Sequence, residues 1–259
     1  MVKAVILAAG QGSRLRPLTD DRPKCMVPLV GVSLLKRQLA VLKEIGILDV
    51  TVVGGYRPEF IGAHDVRLLI NQEFERTNMV ASMFCARDLF DGEDDILVIY
   101  GDIVYERRVA DKVLACDAPI CLPVDREWHH LWSLRFENPL SDAETLRLSP
   151  DGKIIELGKK PGSLQEIEAQ YIGMFLIRAN HAKEFANTYD RLDRAASYDG
   201  KDFQDMYMTT FLQLLVDKGW TLQAVSIDGG WLEIDSVDDL SLYERLYREG
   251  TLDTICCLA

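Results

Sequence analysis

Apolar residues in the first 125 positions follow two alternating patterns. Continuous apolar runs, typical of parallel strands buried on both faces, occupy residues 2–9, 49–55, 66–71, 95–102 and 118–124. Apolar residues at helical spacing predict helices over 33–45, 80–89 and 107–116. This alternation indicates an α/β fold with a doubly wound, mostly parallel, Rossmann-like sheet.

The rest of the chain predicts a smaller and more antiparallel part. Its expected elements are a hairpin with a Pro-Asp-Gly turn over 145–158, strands over 170–178 and 221–228, an extended segment over 231–235, and helices over 180–192, 203–218 and 237–248. No repeat, low-complexity tract or linker interrupts the sequence. We therefore expect one domain over 1–259, with halves at 1–125 and 126–259.

Composition narrows the function classes. The 259 residues are 48% hydrophobic and 27% charged, which is ordinary for a globular protein, and the net charge of -12 argues against a nucleic-acid partner. No apolar run is long enough to predict a membrane span, and the N-terminal run lacks a signal-peptide cleavage pattern, so we expect a cytoplasmic protein. The six cysteines form no CxxC pair, so we expect free thiols in a reducing compartment.

A basic loop stands out against this acidic background. Residues 10–24 contain four basic side chains (Arg14, Arg16, Arg22 and Lys24) and two acidic ones. Glycines in such a loop let the backbone approach a phosphate group, and the basic side chains neutralise its charge. The loop lacks both the GxxxxGK[ST] pattern of a P-loop and the third glycine of a dinucleotide fingerprint. We therefore expect a different kind of phosphate-binding loop after the first strand.

The stretch LAAGQGSRLRPLTDDRPK, residues 7–24, resembles the signature of the nucleotidyltransferases that activate sugar phosphates and phospho-alcohols. The resemblance implies that Arg14 contacts the β- and γ-phosphates of a nucleoside triphosphate. It also implies that Lys24 contacts the α-phosphate or the phosphate of the acceptor. The residues of this stretch expected to bind the nucleotide are Leu7, Ala8, Ala9, Gly10, Gly12, Ser13, Arg14 and Lys24.

Two acidic segments extend the resemblance. The YGD triplet that ends at Asp102 looks like the family's metal-binding aspartate, and WLEID, residues 231–235, looks like its second acidic element. Glu233 and Asp235 are two positions apart, so an extended backbone points both carboxylates to one side. The resemblance implies that Asp102, Glu233 and Asp235 hold Mg²⁺, which prefers oxygen ligands. It also makes Arg14, Lys24 and Asp102 the expected catalytic residues.

Residues 77–83, TNMVASM, resemble the asparagine and serine pattern of cytidylyltransferases that use phosphocholine and related compounds. The resemblance implies that Asn78, Ala81 and Ser82 contact the base of CTP. The residues alone leave an alternative open, because Asn78 or Ser82 could simply cap the helix that follows.

The acceptor is suggested by the second half of the chain. Residues 155–161, IELGKKP, resemble the phosphocholine cytidylyltransferase branch more than the sugar-phosphate branch. Trp128, Trp132 and Tyr171 could bind a quaternary ammonium through cation–π attraction, although the two tryptophans also fit a core position. Arg135 and Lys159 would instead suit a phosphonate or a carboxylate. The residues expected around the acceptor are Trp128, Trp132, Arg135, Lys159, Glu168, Tyr171 and Gly173.

These resemblances imply a Mg²⁺-dependent cytidylyltransferase. In its reaction the phosphate or phosphonate of a small acceptor, such as phosphocholine, aminoethylphosphonate or a related phosphonate, attacks the α-phosphate of CTP and releases pyrophosphate. Two alternatives remain open: a sugar-1-phosphate uridylyl-, thymidylyl- or guanylyltransferase, and a non-catalytic nucleotide-binding relative. The mildly apolar C-terminal segment TLDTICCLA also leaves a homodimer open.

Overall fold

The computed structural model describes residues 1–62 and 64–258. Its strands are β1 (Val2–Ala8), β2 (Pro28–Leu29), β3 (Val32–Ser33), β4 (Val50–Gly54), β5 (Arg67–Ile70), β6 (Asp95–Tyr100), β7 (Ile103–Tyr105), β8 (Ile120–Asp125), β9 (Leu146–Leu148), β10 (Ile154–Leu157), β11 (Gln170–Tyr171), β12 (Met174–Ile177), β13 (Leu222–Ile227) and β14 (Trp231–Glu233). Its α-helices are α1 (Leu34–Glu44), α2 (Met79–Phe84), α3 (Arg107–Leu114), α4 (Trp128–Arg135), α5 (Ala179–Asp190), α6 (Met208–Asp217) and α7 (Val237–Arg248).

An eight-stranded sheet forms the centre of the molecule. Seven strands follow the order β11-β8-β12-β6-β1-β4-β5, and β13 pairs with β8. The strands β6, β1, β4 and β5 are mutually parallel, and β12 lies antiparallel between β6 and β8. The mostly parallel α/β sheet predicted from the apolar runs is therefore confirmed, and both halves of the chain contribute strands to it.

Both faces of the sheet are buried, which explains why its strands read as continuous apolar runs. Successive side chains of a strand point to opposite faces. Ile6 accordingly packs into one hydrophobic cluster and Val5 into the other, and both side chains are fully buried. Helices cover both faces, and none of those in the described part of the chain is long and apolar enough to cross a bilayer.

Most local predictions agree with the observed elements. Helix α1 begins after Ser33, whose side chain accepts a hydrogen bond from the Lys36 N–H, and α7 spans the predicted 237–248. The predicted helix over 80–89 is shorter than expected, because α2 ends at Phe84 and only a 3₁₀ turn follows. The predicted strand over 170–178 is interrupted at Gly173, whose backbone φ is 80°.

The expectation of six free thiols is wrong for two of them. Cys116 and Cys121 are joined by a disulfide, with their Cα atoms 6.2 Å apart. They lie on either side of the short turn between α3 and β8, so the local backbone brings them together although no CxxC spacing is present. The four remaining cysteines are free: Cys25, Cys85, Cys256 and Cys257.

The ends of β1 and β6 lie side by side and define one edge of the sheet. Gly101 follows β6 and packs so tightly that an added Cβ would lie 2.7 Å from the carbonyl oxygen of Leu7. β14 pairs with β7 beside this edge. The buried carboxylate of Asp125 holds the start of β14 and the residues before it, because it accepts hydrogen bonds from Trp231 Nε1 at 2.9 Å and from the Gly229 N–H at 3.0 Å. The basic loop and both acidic segments therefore meet at one place.

Candidate active site

Three carboxylates converge at this edge. Asp102 follows β6, while Glu233 ends β14 and Asp235 follows it. One oxygen from each of the three groups lies within 4.8 Å of the others. The Ile234 N–H donates to the Asp102 carbonyl at 3.0 Å, which ties the two acidic segments together through their backbones. Residues that lie more than 130 positions apart along the chain thus form one acidic cluster.

Lys24 lies between two of these carboxylates. Its Nζ donates to Asp102 Oδ2 at 2.7 Å and to Asp235 Oδ1 at 2.5 Å. Burial alone would lower the pKa of Lys24, but the two carboxylates outweigh that effect and raise it. The side chain is therefore a fixed positive charge at neutral pH. Arg14 reaches Asp235 at 3.1 Å from the solvent side, with 65% of its side chain exposed.

Arg135 requires a correction to our expectation that it contacts the acceptor. Its side chain is fully buried behind the acidic cluster. It donates to Glu233 Oε2 at 2.8 Å, and a two-pronged contact joins it to Asp239 at 2.8 and 3.3 Å. Asp239 in turn accepts from the Asp235 N–H at 3.0 Å. These carboxylates engage the donors of Arg135, so its role in the structure is to orient the acidic cluster and not to contact the acceptor.

The electrostatics of the cluster fit a cation. Burial raises the pKa of Glu233 to about 8, and the neighbouring charge of Asp235 adds to this. Burial also acts to raise the pKa of Asp235, but the charge of Lys24 outweighs it and the net shift is downward. Asp102 Oδ1 is buried without a hydrogen-bond partner among the described residues. An unsatisfied buried carboxylate oxygen among further oxygen ligands fits a hard divalent cation such as Mg²⁺.

A cavity of about 260 Å³ opens between the basic loop and α2. Nine of the residues predicted to bind the nucleotide line it: Leu7, Ala8, Ala9, Gly10, Gly12, Arg14, Lys24, Asn78 and Ser82. Ser13 and Ala81 do not line it. At Gly12, where φ is 72°, an added Cβ would lie 2.9 Å from the Lys24 Cβ, so the loop backbone packs directly on the lysine stem. Sequence reasoning missed Phe74 and Thr77, which also line this cavity.

Asn78, directly before α2, and Ser82, within it, both have structural partners. Asn78 caps the helix, because its side-chain oxygen accepts from the Met79 N–H at 2.8 Å. Ser82 is buried and accepts a hydrogen bond from Asn71 Nδ2 at 2.9 Å. The capping alternative is therefore correct for Asn78. Asn78 Nδ2 also donates to Asp205 Oδ1 at 3.3 Å. Both residues still line the nucleotide cavity.

A second cavity, of about 190 Å³, adjoins the first. Asn78, Met79, Tyr100 and Asp235 line both cavities, so the two meet beside the acidic cluster. Of the residues predicted to bind the acceptor, Trp132, Tyr171 and Gly173 line the second cavity. This arrangement would place a ligand in the second cavity next to the phosphate end of a ligand in the first.

The other four predicted acceptor residues lie elsewhere. Trp128 packs against Trp132 in the core, and Arg135 lies behind the carboxylates. Lys159 is exposed and pairs with Glu156 at 3.4 Å, and Glu168 accepts from the Leu148 N–H. The second cavity is instead lined by polar residues that no strong sequence motif marks, among them Asp142, Glu144, Tyr207 and Thr209.

Comparison with known proteins identifies the family of the chain. The sequence profile of the MobA-like NTP transferase domain matches residues 4–156. The chain is 43% identical to the CTP:phosphoglutamine cytidylyltransferase of Campylobacter jejuni, over 93% of this chain and 98% of that protein. It is 28% identical to the glucose-1-phosphate thymidylyltransferase of Streptomyces griseus, over 96% of this chain and 67% of that protein.

A solved structure shares the fold. The CTP:phosphocholine cytidylyltransferase of Streptococcus pneumoniae superposes with a TM-score of 0.69 at 23% identity, covering 95% of this chain and 99% of that one. The chain therefore belongs to the MobA-like NTP transferase family. It is a nucleotidyltransferase, as the resemblance of residues 7–24 implied.

Proposed function

We propose that this nucleotidyltransferase uses CTP and transfers its cytidylyl group to the phosphate or phosphonate of a small acceptor. The observation that carries the proposal is the position of Lys24, Asp102 and Asp235 where two cavities meet. CTP is the nucleotide named for the 43% identical relative, of which this chain matches 98%. Asn78 and Ser82 lie where they could contact its base.

The proposed reaction forms one bond and breaks one. An acceptor oxygen forms a bond to the α-phosphorus of CTP, and the bond from that phosphorus to the bridging oxygen of the β-phosphate breaks. Pyrophosphate leaves with the electron pair of that bond. Both reactants are anions, so the protein must offset their repulsion and hold them in line.

The chain provides this charge from fixed positions. Arg14, Gly10 and Gly12 line the cavity proposed for the triphosphate, and glycine-rich backbone of this kind can offer N–H groups to phosphate oxygens. Lys24 extends to the junction of the cavities, where its buried ammonium would stabilise the negative charge around the α-phosphate. Packing of Gly12 on the Lys24 stem couples the position of the phosphate loop to that of the lysine.

Asp102, Glu233 and Asp235 would hold Mg²⁺, whose charge would neutralise phosphate oxygens when it is bound. The proposed dependence on Mg²⁺ rests on the unpartnered Asp102 Oδ1 and on the oxygen-rich ligand set. Arg135 and Asp239 would keep these carboxylates in place.

The acceptor we favour is phosphoglutamine, or another small phospho-compound or phosphonate such as phosphocholine or aminoethylphosphonate. Phosphoglutamine is the acceptor named for the 43% identical relative. A sugar-1-phosphate is the second candidate, supported by the 28% identical thymidylyltransferase. In either case residues 1–125 would mainly bind the nucleotide, and residues 126–259 would mainly bind the acceptor.

The nucleotide is tested by pyrophosphate release from CTP, UTP, dTTP, GTP and ATP, each with Mg²⁺ and with phosphoglutamine or glucose-1-phosphate. We expect release from CTP with phosphoglutamine, and loss of that release when Mg²⁺ is chelated. Release only from dTTP or UTP with glucose-1-phosphate would replace the proposal by the sugar-phosphate alternative.

A further inference from the structure

Helix α1 carries one polar residue on the side that faces the core. Its four buried residues are Leu34, Leu35, Gln38 and Leu42. The glutamine thus occupies a position in a stripe that is otherwise apolar. Gln38 is only 1% exposed, although glutamine usually lies at the surface of a protein. A buried amide costs free energy unless it is hydrogen-bonded, so its contacts indicate why the core accepts it.

The amide of Gln38 holds the turn that carries Asp102. Gln38 Nε2 donates to the carbonyl oxygen of Tyr100 at 2.7 Å and to that of Ile103, also at 2.7 Å. Tyr100 ends β6 and Ile103 begins β7. The two hydrogen bonds therefore lie on either side of the turn formed by Gly101 and Asp102. Because carbonyl oxygens only accept, the NH₂ end of the amide must face them.

The backbone around Asp102 is held from a second direction as well. The Asp102 carbonyl accepts from the Ile234 N–H at 3.0 Å, in the segment that follows β14. Asp102 Oδ2 accepts from Lys24 Nζ at 2.7 Å, whereas Oδ1 is buried without a partner in the described part of the chain. The protein thus presents this carboxylate on a fixed backbone, with one oxygen unpaired.

Helix α1 also supports the segment that carries Lys24. Lys24 lies on a short 3₁₀ turn just before β2. Arg37 Nη2 donates to the carbonyl of Leu29, which ends β2, at 2.8 Å. Arg37 and Gln38 are adjacent, so a single turn of the helix contacts the residues after Lys24 and the residues around Asp102. Helix α1 is therefore a common support for both partners of this ion pair.

We propose that Gln38 is a positioning residue for Asp102, whose turn it sets so that the carboxylate meets Lys24 and a divalent cation where the two cavities join. This inference rests on the proposed function, because the cation is the Mg²⁺ proposed for the reaction. Gln38 lines neither cavity, so it acts through Asp102 and not through contact with a substrate. Loss of a group that orients a metal ligand typically costs about 10- to 100-fold in metal affinity or activity.

The variant Gln38→Met removes both donors and keeps a side chain of similar length. CTP binding is measured by calorimetry with Mg²⁺ and with EDTA, so the gain in affinity due to Mg²⁺ is obtained without turnover. We expect Mg²⁺ to tighten CTP binding to the wild-type enzyme, and Gln38→Met to lose about tenfold of that gain. Its affinity for CTP in EDTA should stay nearly unchanged, because the residues that line the nucleotide cavity remain in place.

Turnover supplies a second readout that a purely structural role would not change. In Gln38→Met the Mg²⁺ concentration that gives half-maximal pyrophosphate release should rise about tenfold. Excess Mg²⁺ should then restore part of the lost kcat, because the cation itself pulls Asp102 back into place.

Leu42→Ala is the matched control, because Leu42 is fully buried four positions further along α1. It should lower the melting temperature at least as much as Gln38→Met does, yet leave the Mg²⁺ requirement unchanged. Gln38→Asn takes the place of Gln38→Met if that variant gives no cooperative thermal transition. Its amide is one methylene shorter, so it should lose at least one of the two contacts.

The outcomes separate this inference from the proposed function. An unchanged Mg²⁺ gain in Gln38→Met, or an equal loss in Leu42→Ala, would overturn the role of Gln38 while the cytidylyltransferase stands. If the wild-type enzyme shows no Mg²⁺ gain and no turnover with CTP, the choice of nucleotide falls, and the same comparison with UTP and dTTP decides the role of Gln38. No Mg²⁺ gain with any of the three nucleotides would overturn both proposals.

Discussion

Replacement of Lys24 by methionine isolates the charge at the junction of the cavities. Methionine keeps much of the stem that packs on Gly12, but it removes the ammonium that lies 2.7 Å from Asp102 and 2.5 Å from Asp235. The two carboxylates then repel one another without the intervening cation. Removal of one partner from a buried ion pair costs about 3–5 kcal/mol. For a chain of this length, that loss lowers the melting temperature by roughly 10 °C.

Mg²⁺ should reverse part of this loss, because Asp102, Glu233 and Asp235 would hold the ion. We expect Mg²⁺ to raise the melting temperature of Lys24→Met by several degrees more than that of the wild-type protein. In the pyrophosphate assay kcat should fall about 10²-fold or more, as is usual when a preorganised charge contact is lost. Scanning calorimetry with and without Mg²⁺ measures the stability, and steady-state kinetics measure the turnover.

Arg14→Gln is the matched control for Lys24→Met. It also removes a positive charge that contacts Asp235, but Arg14 is mostly exposed, so its melting temperature should change little. The reasoning is refuted if Lys24→Met melts at the wild-type temperature, or if Mg²⁺ stabilises it no more than it stabilises the wild-type protein. A rise in KM with unchanged kcat would show that Lys24 binds ground state and transition state equally.

Three further substitutions test other parts of the account. Asp102→Asn should abolish pyrophosphate release while circular dichroism shows a folded protein; near-normal turnover would remove Asp102 from the metal site. Gly158→Ala should raise KM for the acceptor and lower stability, because its Cβ would meet Thr209 in a backbone conformation that disfavours alanine; unchanged values would show that the contact relaxes freely. The raised pKa of Glu144 means that the folded state holds a proton between its ordinary pKa of 4.5 and about 7, so this group's contribution to stability decreases as pH rises through that range. Urea titrations at pH 5 and 8 should show the wild-type protein losing about 3 kcal/mol relative to Glu144→Gln, and parallel profiles for the two would contradict the shift.

The fold was largely predictable from local patterns. A parallel strand buried on both faces needs apolar residues at every position, and the runs around Ile6 and Ile99 meet that need without reference to the rest of the chain. The break at Gly173 was harder to predict, since the glycine is required by the ring of Tyr100, which lies far away in the sequence.

The candidate site likewise has residues that local motifs predict and residues whose place depends on distant contacts. Lys24, Asp102 and Asp235 are predictable because each lies in a compact motif, and the fold brings Lys24 into contact with the other two across 78 and 211 positions. Arg135 was misplaced because its role depends on the carboxylates behind the site, which no local pattern shows. The disulfide between Cys116 and Cys121 likewise depends on the geometry of a turn and not on a recognised spacing.

Glu144 shows what a motif alone leaves undecided. The sequence places it before a hairpin, where a solvated carboxylate is the ordinary expectation. In the structure Glu144 lines the second cavity, and the side chain of Gln170 fixes its backbone by accepting from its N–H at 3.1 Å and donating to its carbonyl at 2.5 Å. Each of these is a tertiary feature, so the second cavity had to be described before its charge could be interpreted.

The central claim is tested most directly by ³¹P NMR of the enzyme with CTP, Mg²⁺ and phosphoglutamine. The account predicts that the α-phosphorus of CTP becomes bonded through oxygen to the acceptor phosphorus, with one free pyrophosphate for each molecule of product. It is contradicted if CTP stays intact with phosphoglutamine, phosphocholine and aminoethylphosphonate, while dTTP or UTP reacts with glucose-1-phosphate under the same conditions.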